Sequence, residues 1–111
     1  MESRRTLRLE DIIQKELSAL INEETNFEAG IFITITRVEV TKDLQWAKVF
    51  VSIYPFNKHS EVLEHLIAVT PQFQRQINHL INIKHTPKIV FKLDTHFEDI
   101  DKMLKIVESD S

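Results

Sequence analysis

The sequence has no cysteine and only one glycine among its 111 residues. The missing cysteine excludes disulfides, thiolate metal ligands and thiol nucleophiles, and it suits a reducing compartment. With a single glycine, the chain cannot form the glycine-rich loop that cradles phosphates in nucleotide-binding proteins. No run approaches the roughly 20 consecutive apolar residues that a membrane span needs, and no apolar segment follows the early positive charges as in a secretory signal. We therefore expect a cytoplasmic protein with no membrane partner.

The combinations of residues that catalysis requires are also missing. The five histidines, at positions 59, 65, 79, 85 and 96, show no paired metal-binding spacing. The aspartates at positions 43, 94, 99 and 101 are best interpreted as turn, cap or surface carboxylates. The sequence therefore predicts a protein that is not an enzyme and that has no metal, no cofactor and no small-molecule substrate.

The charge balance is mildly acidic, with 14 Lys and Arg against 17 Asp and Glu, which gives a net charge of −3. Nucleic-acid-binding proteins usually have a basic surplus, because neutralising phosphates releases counterions. The charges are segregated along this chain, however. Arginines gather at its start, lysines around position 88, and carboxylates between 23 and 28 and beyond 97. A local basic surface can therefore still form.

The stretch from Ile31 to Tyr54 predicts a β-hairpin. Its second strand alternates strictly, which is typical of a half-buried strand. One side consists of Ala47, Val49, Val51 and Ile53, and the other of Trp46, Lys48, Phe50, Ser52 and Tyr54. The first strand changes the side of its apolar residues near Thr36–Arg37, which indicates a β-bulge. Thr41 and Asp43 favour a turn between the strands, because their side chains bond nearby backbone.

The remaining segments predict helices and one more strand. Apolar residues at spacings of three and four indicate a helix from Thr6, as N-cap, to about Asn22. Ser60 is predicted to cap a second helix, which Pro71 should end, because proline lacks an N–H and clashes with the preceding turn. A third helix then follows the break at Val69-Thr70-Pro71. Residues 88–93 predict a strand, and a closing helix should bury Phe97, Ile100, Met103, Leu104 and Val107.

The predicted order is therefore α-β-β-α-α-β-α, in one α+β domain over residues 1–111 with a frayed acidic tail at 108–111. A three-stranded sheet covered by helices on one face satisfies this order.

This order, without the closing helix, resembles the bacterial (type II) KH domain, and the hairpin sequence is more specific. Residues 36–44 (TRVEVTKDL) and 47–52 (AKVFVS) are similar to the ribosome-binding factor A family, whose hairpin is close to V-x-V-S/T-x-D-L followed by A-K-V-x-V-S. Residues 86–94 resemble its P-x-L-x-F-x-x-D segment, and the leading arginines resemble its start. The resemblance extends over nearly the whole chain.

The resemblance implies a small monomeric factor that binds the free or immature 30S ribosomal subunit. It would assist late processing of 16S rRNA and maturation of the subunit, including in the cold. Family members bind RNA around a kinked Ala-x-Gly between the two central helices. Here Val69, Thr70 and Pro71 occupy that place and are the predicted helix kink. The third helix is also less basic than is typical of the family.

Candidate RNA-binding residues are cations near the predicted surface: Arg4, Arg5, Arg8, Lys42, Lys48, Arg75, Lys84 and Lys88. The alternative for each is a solvated charge or, for the lysines of the last strand, protection of a sheet edge. Trp46, Phe50 and Tyr54 share a strand face where bases could stack. We favour a face that helices cover, or aromatics that shield a bare sheet.

Two other functions fit the same sequence. One is a KH-like domain that binds RNA outside the ribosome. The other is a protein-interaction domain that has lost RNA binding, which the net charge of −3 would allow.

Overall fold

The computed structural model of the chain describes residues 4–24, 27–81 and 85–94. Its elements are α1 (Arg4–Glu23), β1 (Phe32–Val40), β2 (Trp46–Tyr54), a single 3₁₀ turn (Phe56–Lys58), α2 (His59–Leu80) and β3 (Lys88–Leu93). The three predicted strands are thus confirmed. The predicted closing helix and acidic tail lie outside the described residues.

The strands form one sheet in the order β1-β2-β3. β1 and β2 are an antiparallel hairpin, whereas β2 and β3 run parallel. The register of the hairpin shifts between Ile35 and Arg37, which confirms the predicted bulge. Because β2 is the central strand, its two faces decide what each side of the sheet can do.

The turn of the hairpin forms without glycine. The Thr41 hydroxyl donates to Asp43 Oδ1 (2.6 Å), and the same carboxylate accepts from the Gln45 N–H (3.1 Å). The Trp46 N–H donates to Thr41 Oγ1 (3.1 Å). Leu44 adopts φ 62°, in the left-handed region that non-glycine residues seldom occupy. Its half-buried side chain packs against the core, which offsets this strain.

One face of the sheet, the covered face, is buried beneath both helices, with α1 packed against β1 and α2 against β3. It consists of Ile35, Val38, Val40, Ala47, Val49, Val51, Ile53, Ile89 and Phe91. The helices contribute Leu9, Ile13, Leu17 and Ile21 from α1 and Val62, Leu66, Val69, Phe73 and Ile77 from α2. This arrangement confirms the predicted α+β class with helices on one face.

The predicted division of the central helix is wrong, because α2 continues from His59 to Leu80 with Pro71 inside it. Proline removes only the hydrogen bond to the Ile67 carbonyl. The buried positions 62, 66, 69, 73 and 77 keep helical spacing across Pro71, so burial against one core holds both halves in phase. The Thr70 hydroxyl donates to the Leu66 carbonyl (2.7 Å), an arrangement that often bends helices. The kink itself therefore stays a prediction.

Both predicted N-caps are also wrong. Thr6 is buried inside α1, and Ser60 is the second residue of α2. The 3₁₀ turn, closed by the Lys58 N–H on the Pro55 carbonyl (3.0 Å), leads directly into α2. His59 Nδ1 lies 2.8 Å from the Phe56 carbonyl oxygen. The chain therefore enters this helix through the backbone bond of the 3₁₀ turn and a contact of the His59 side chain, without a serine cap.

Candidate nucleic-acid interface

The opposite side of the sheet, which we call the open face, carries the side chains that alternate with the buried ones. Neither of the two described helices packs on it, and its end rings are exposed, so the interpretation that these helices cover its aromatics is wrong. The tryptophan is 43% exposed and the tyrosine 67%. The residues of the open face are Phe32, Thr34, Arg37, Glu39, Trp46, Lys48, Phe50, Ser52, Tyr54, Lys88, Val90 and Lys92.

The aromatic rings of β2 each have a partner from a neighbouring strand. Lys88 Nζ of β3 lies 5.7 Å from the centre of the Trp46 ring. In the middle of the strand, the Arg37 guanidinium of β1 lies 4.0 Å from the centre of the Phe50 ring. At the far end, the rings of Tyr54 and Phe32 are 6.3 Å apart, centre to centre. Two of the three rings of β2 on the open face therefore have a cation beside them, and the third has a second ring.

The open face is basic although the chain as a whole is acidic. Its described residues include four cations, from Arg37, Lys48, Lys88 and Lys92, and one carboxylate, from Glu39. That carboxylate lies 3.6 Å from the Arg37 guanidinium, and both side chains are about half exposed. An exposed pair of this kind contributes little to stability. The arrangement instead concentrates positive potential on one side of the sheet.

A groove lies at the end of the sheet where β2 and β3 begin, and we call it the end groove. It has a volume of about 630 Å³ and is lined by Arg5, Asp43, Leu44, Gln45, Trp46, His85, Thr86 and Lys88. Helix α1 reaches it because Glu10 Oε1 accepts from the Val40 N–H (2.9 Å) and Gln14 Nε2 donates to the Ile35 carbonyl (3.3 Å). These bonds bring the start of α1 beside the hairpin turn.

The start of β3 is held by a glutamine that the sequence did not single out. Gln74 of α2 accepts from the Ile89 N–H (2.8 Å) and donates to the Pro87 carbonyl (3.0 Å). The Lys88 N–H donates to the Gln45 carbonyl (2.8 Å). Together these bonds fix Lys88 beside Trp46. The only sequence signal for Gln74 is its position next to Phe73, at the edge of the buried stripe of α2.

Two local features set the electrostatics of the end groove. The first turn of α1, as described, carries arginines and no carboxylate, so side-chain charge adds to the positive end of the helix dipole. On the hairpin turn, the hydrogen bond from the Thr41 hydroxyl, and then the one from the Gln45 N–H, lowers the pKa of Asp43 below its usual 3.8. Asp43 therefore stays ionised, so the groove holds one anion among its cations.

The structure brings together some of the predicted RNA-binding residues. Arg5 and Lys88 line the end groove, and Lys48 lies on the open face. Lys42 is exposed on the hairpin turn, next to a residue that lines the groove. Arg4 and Arg8 are exposed near the start of α1. One end of the sheet thus collects cations from three separate parts of the chain.

Other predicted residues do not join this group. Arg75 is exposed on α2, in the helix layer on the covered side of the sheet, and does not line the end groove. Lys84 lies outside the described residues. Val69 is buried in the core, whereas Thr70 is half-buried and Pro71 is exposed. The predicted kink and the cations of the open face are therefore on different layers of the molecule.

The described part of the chain offers no metal-binding cluster, since no three His, Asp or Glu side chains converge there. Of the helices in the described residues, neither α1 nor α2 is long and apolar enough to cross a membrane.

Comparison with known proteins assigns the family. A model described as ribosome-binding factor A matches residues 5–107. The ribosome-binding factor A of Halothermothrix orenii is 35% identical, over 99% of this chain and 93% of that protein. The protein of the same name from Caldanaerobacter subterraneus is 36% identical, over 94% of this chain and 87% of that protein. A candidate ribosome binding factor A from Thermotoga maritima, solved by NMR, has a TM-score of 0.70 at 27% identity, over 83% of this chain and 89% of that one. This chain therefore belongs to the ribosome-binding factor A family.

Proposed function

We propose that the protein binds the free or immature 30S ribosomal subunit and assists late 16S rRNA processing and subunit maturation, including at low temperature. The observation that carries the proposal is the family match, which spans residues 5–107. The name of the relatives supports a ribosomal partner. The protein would act as a cytoplasmic monomer and would need no catalytic group.

The distribution of charge supports binding to folded rRNA. Exposed cations of α1, the hairpin turn and β3 gather at one end of the sheet, although the chain has a net charge of −3. Phosphate contacts of this kind supply affinity without reading sequence, and they weaken as salt rises. Folded RNA is recognised largely through its shape and backbone. We infer electrostatic docking on a shaped rRNA surface.

The contribution to maturation would be thermodynamic. A protein that binds one conformation of the rRNA better than others shifts the population toward that conformation. A shift of tenfold requires a difference of only about 1.4 kcal/mol in binding free energy. Several phosphate contacts that form in only one rRNA conformation are sufficient for this.

Co-sedimentation tests the proposal directly. The full chain is mixed with separated small subunits, large subunits or assembled ribosomes over a series of salt concentrations. We expect pelleting with free small subunits only, and weaker pelleting as salt rises. Absence of pelleting with every particle at low salt would overturn the proposal and favour a protein-interaction domain. Equal pelleting with all particles would indicate nonspecific attraction to RNA.

A further inference from the structure

We propose that the open face is a binding site for unpaired RNA, in which bases stack on the aromatic rings and the surrounding cations contact the phosphates. This proposal deepens the proposed function and rests on it in taking rRNA as the source of the unpaired segment. It adds a surface that lies on the opposite side of the sheet from the central helix.

The spacing of the rings suits an extended strand of RNA. Trp46, Phe50 and Tyr54 follow each other at intervals of four residues on β2, which is about 13 Å per interval. Rings at both ends are open to solvent, since Trp46 is 43% exposed at one end, and Tyr54 and its cross-strand partner Phe32 are 67% and 65% exposed at the other. Every base has a flat face, so a row of rings binds single strands with little dependence on sequence.

The cations beside the rings are side chains of types that contact RNA bases and phosphates. An Arg guanidinium plane is itself a stacking surface for bases, so Arg37 extends the stack over Phe50 and does not block it. The ammonium of Lys88 lies beside the Trp46 ring, where it could reach the phosphate of a base stacked there. Lys48 lies between these two positions on β2, and Lys92 of β3 pairs opposite Phe50 on the same face.

Charge favours RNA over an apolar partner. An apolar surface placed on the open face would remove water from four cations, with only Glu39 among the described residues to compensate, at a high desolvation cost. Phosphates would neutralise the same cations and release counterions, which is favourable. If the rings served only to shield the sheet, cations would not need to surround them. The combination is typical of single-strand binding surfaces.

The end groove could hold the terminal nucleotide of the RNA segment. Trp46 belongs both to the open face and to this groove, and Arg5 and Lys88 stand on its walls. Its volume of about 630 Å³ lies within the usual range for small-molecule sites and is large enough for one nucleotide. A base that stacks on Trp46 from this side would place its phosphate near the arginine of α1.

The chain contains its own reporter, because Trp46 is the only tryptophan. The full chain is titrated with single-stranded oligouridine and oligoadenine of about ten nucleotides, and with a duplex of the same length, at low salt. We expect saturable quenching of tryptophan fluorescence by the single strands and little by the duplex. If neither single strand quenches the tryptophan fluorescence, the proposal is overturned.

Matched variants place the binding on the open face. Binding of a labelled single strand is measured by fluorescence anisotropy. We expect Tyr54→Leu, which removes a stacking ring, to weaken binding by about tenfold. Lys88→Gln, which removes one positive charge, should weaken it by less. Leu80→Ala and Lys15→Gln change an exposed leucine of α2 and an exposed lysine of α1, and both should leave binding unchanged. Equal losses in the control variants, or none in the first pair, would contradict the proposal.

The two proposals fail in distinguishable ways. Pelleting with small subunits without any quenching by single strands would leave the proposed function intact and overturn the open-face site. Quenching that is lost in Tyr54→Leu, without pelleting, would support the open-face site as a general RNA-binding surface and overturn the ribosomal assignment.

Discussion

The two faces of β2 differ in every respect although they alternate residue by residue. On the covered face, Ala47, Val49 and Val51 are fully buried and contact helices. On the open face, Trp46 and Tyr54 remain exposed, and cations from neighbouring strands lie beside the rings of Trp46 and Phe50. The same nine residues therefore contribute to the core and to the candidate RNA surface.

This difference separates stability from binding. Residues of the covered face lose packing when they are shortened, because a close-packed core does not refill the space. Residues of the open face contact solvent, so their substitution changes stability little. A side chain on one face can change without disturbing the other. The predictions below test that separation, from the largest effect to the smallest.

Shortening a residue that packs beneath the covered face should have the largest effect. Leu66 of α2 is fully buried, and Leu66→Ala should lower the free energy of unfolding by about 2–5 kcal/mol, through lost burial and a residual cavity. Urea denaturation measures the loss. Ile67→Ala, at the exposed next position, is the control and should change stability by less than about 0.5 kcal/mol. Similar losses in the two variants would contradict the burial assigned to α2.

Removing the glutamine that joins the two layers should have the next largest effect. Gln74→Leu leaves the Ile89 N–H and the Pro87 carbonyl without their partner, which should cost about 1–3 kcal/mol of unfolding free energy. Gln72→Leu changes an exposed glutamine on the same helix and should cost almost nothing. Equal stabilities of the two variants, measured by urea denaturation, would show that Gln74 does not hold β3 in place.

Replacing the proline inside α2 should stabilise the protein. Pro71→Ala restores an N–H donor to the Ile67 carbonyl, and the expected gain is about 2 kcal/mol, after part of it is offset by greater freedom of the unfolded chain. Thermal and urea unfolding measure the gain. Loss of stability would show that the helix is built around the proline. Small-subunit pelleting that survives the substitution would show that the predicted kink is unnecessary for binding.

The hairpin turn should show a small dependence on pH. The pKa of Asp43 is lowered in the folded protein, so its contribution is present above the ordinary value of 3.8 and is lost as the pH falls through the folded-state pKa. Asp43→Ala should therefore be less stable than the parent chain near neutral pH. The difference should shrink as the pH falls through the folded-state pKa of Asp43. A difference that stays constant across an acid titration would show that the carboxylate charge is not involved.

Much of the fold could be predicted because its signals are local. The alternation of apolar and other residues predicted both faces of β2. In β1, the apolar residues change sides near Thr36–Arg37, which predicted a bulge, and the register shift between Ile35 and Arg37 confirms it. The turn was predicted from Thr41 and Asp43, whose side chains accept hydrogen bonds from the backbone as expected. For α2, the local rule about proline gave the wrong answer. Burial on one continuous stripe outweighed the single hydrogen bond that Pro71 removes.

The candidate site depended on long-range pairing, which the sequence does not reveal. Lys88 stands beside Trp46 only because β3 pairs in parallel with β2 in one particular register. Arg5 joins them through bonds from α1 to β1. The role of Gln74 is likewise a contact across 15 positions of the chain. Residue types alone could nominate these side chains, but only the topology brings them together.

The most direct test of the separation between the two faces is the salt dependence of small-subunit binding. The double variant Lys48→Gln/Lys88→Gln removes two cations of the open face and is compared with the parent chain and with Lys15→Gln. We predict that the double variant binds more weakly and that its plot of log binding constant against log salt concentration has a slope smaller in magnitude by about 1.5 to 2. Its unfolding free energy should stay within about 0.5 kcal/mol of that of the parent chain. Unchanged affinity and slope in a folded double variant would contradict the account, because the open face would then contribute no phosphate contacts.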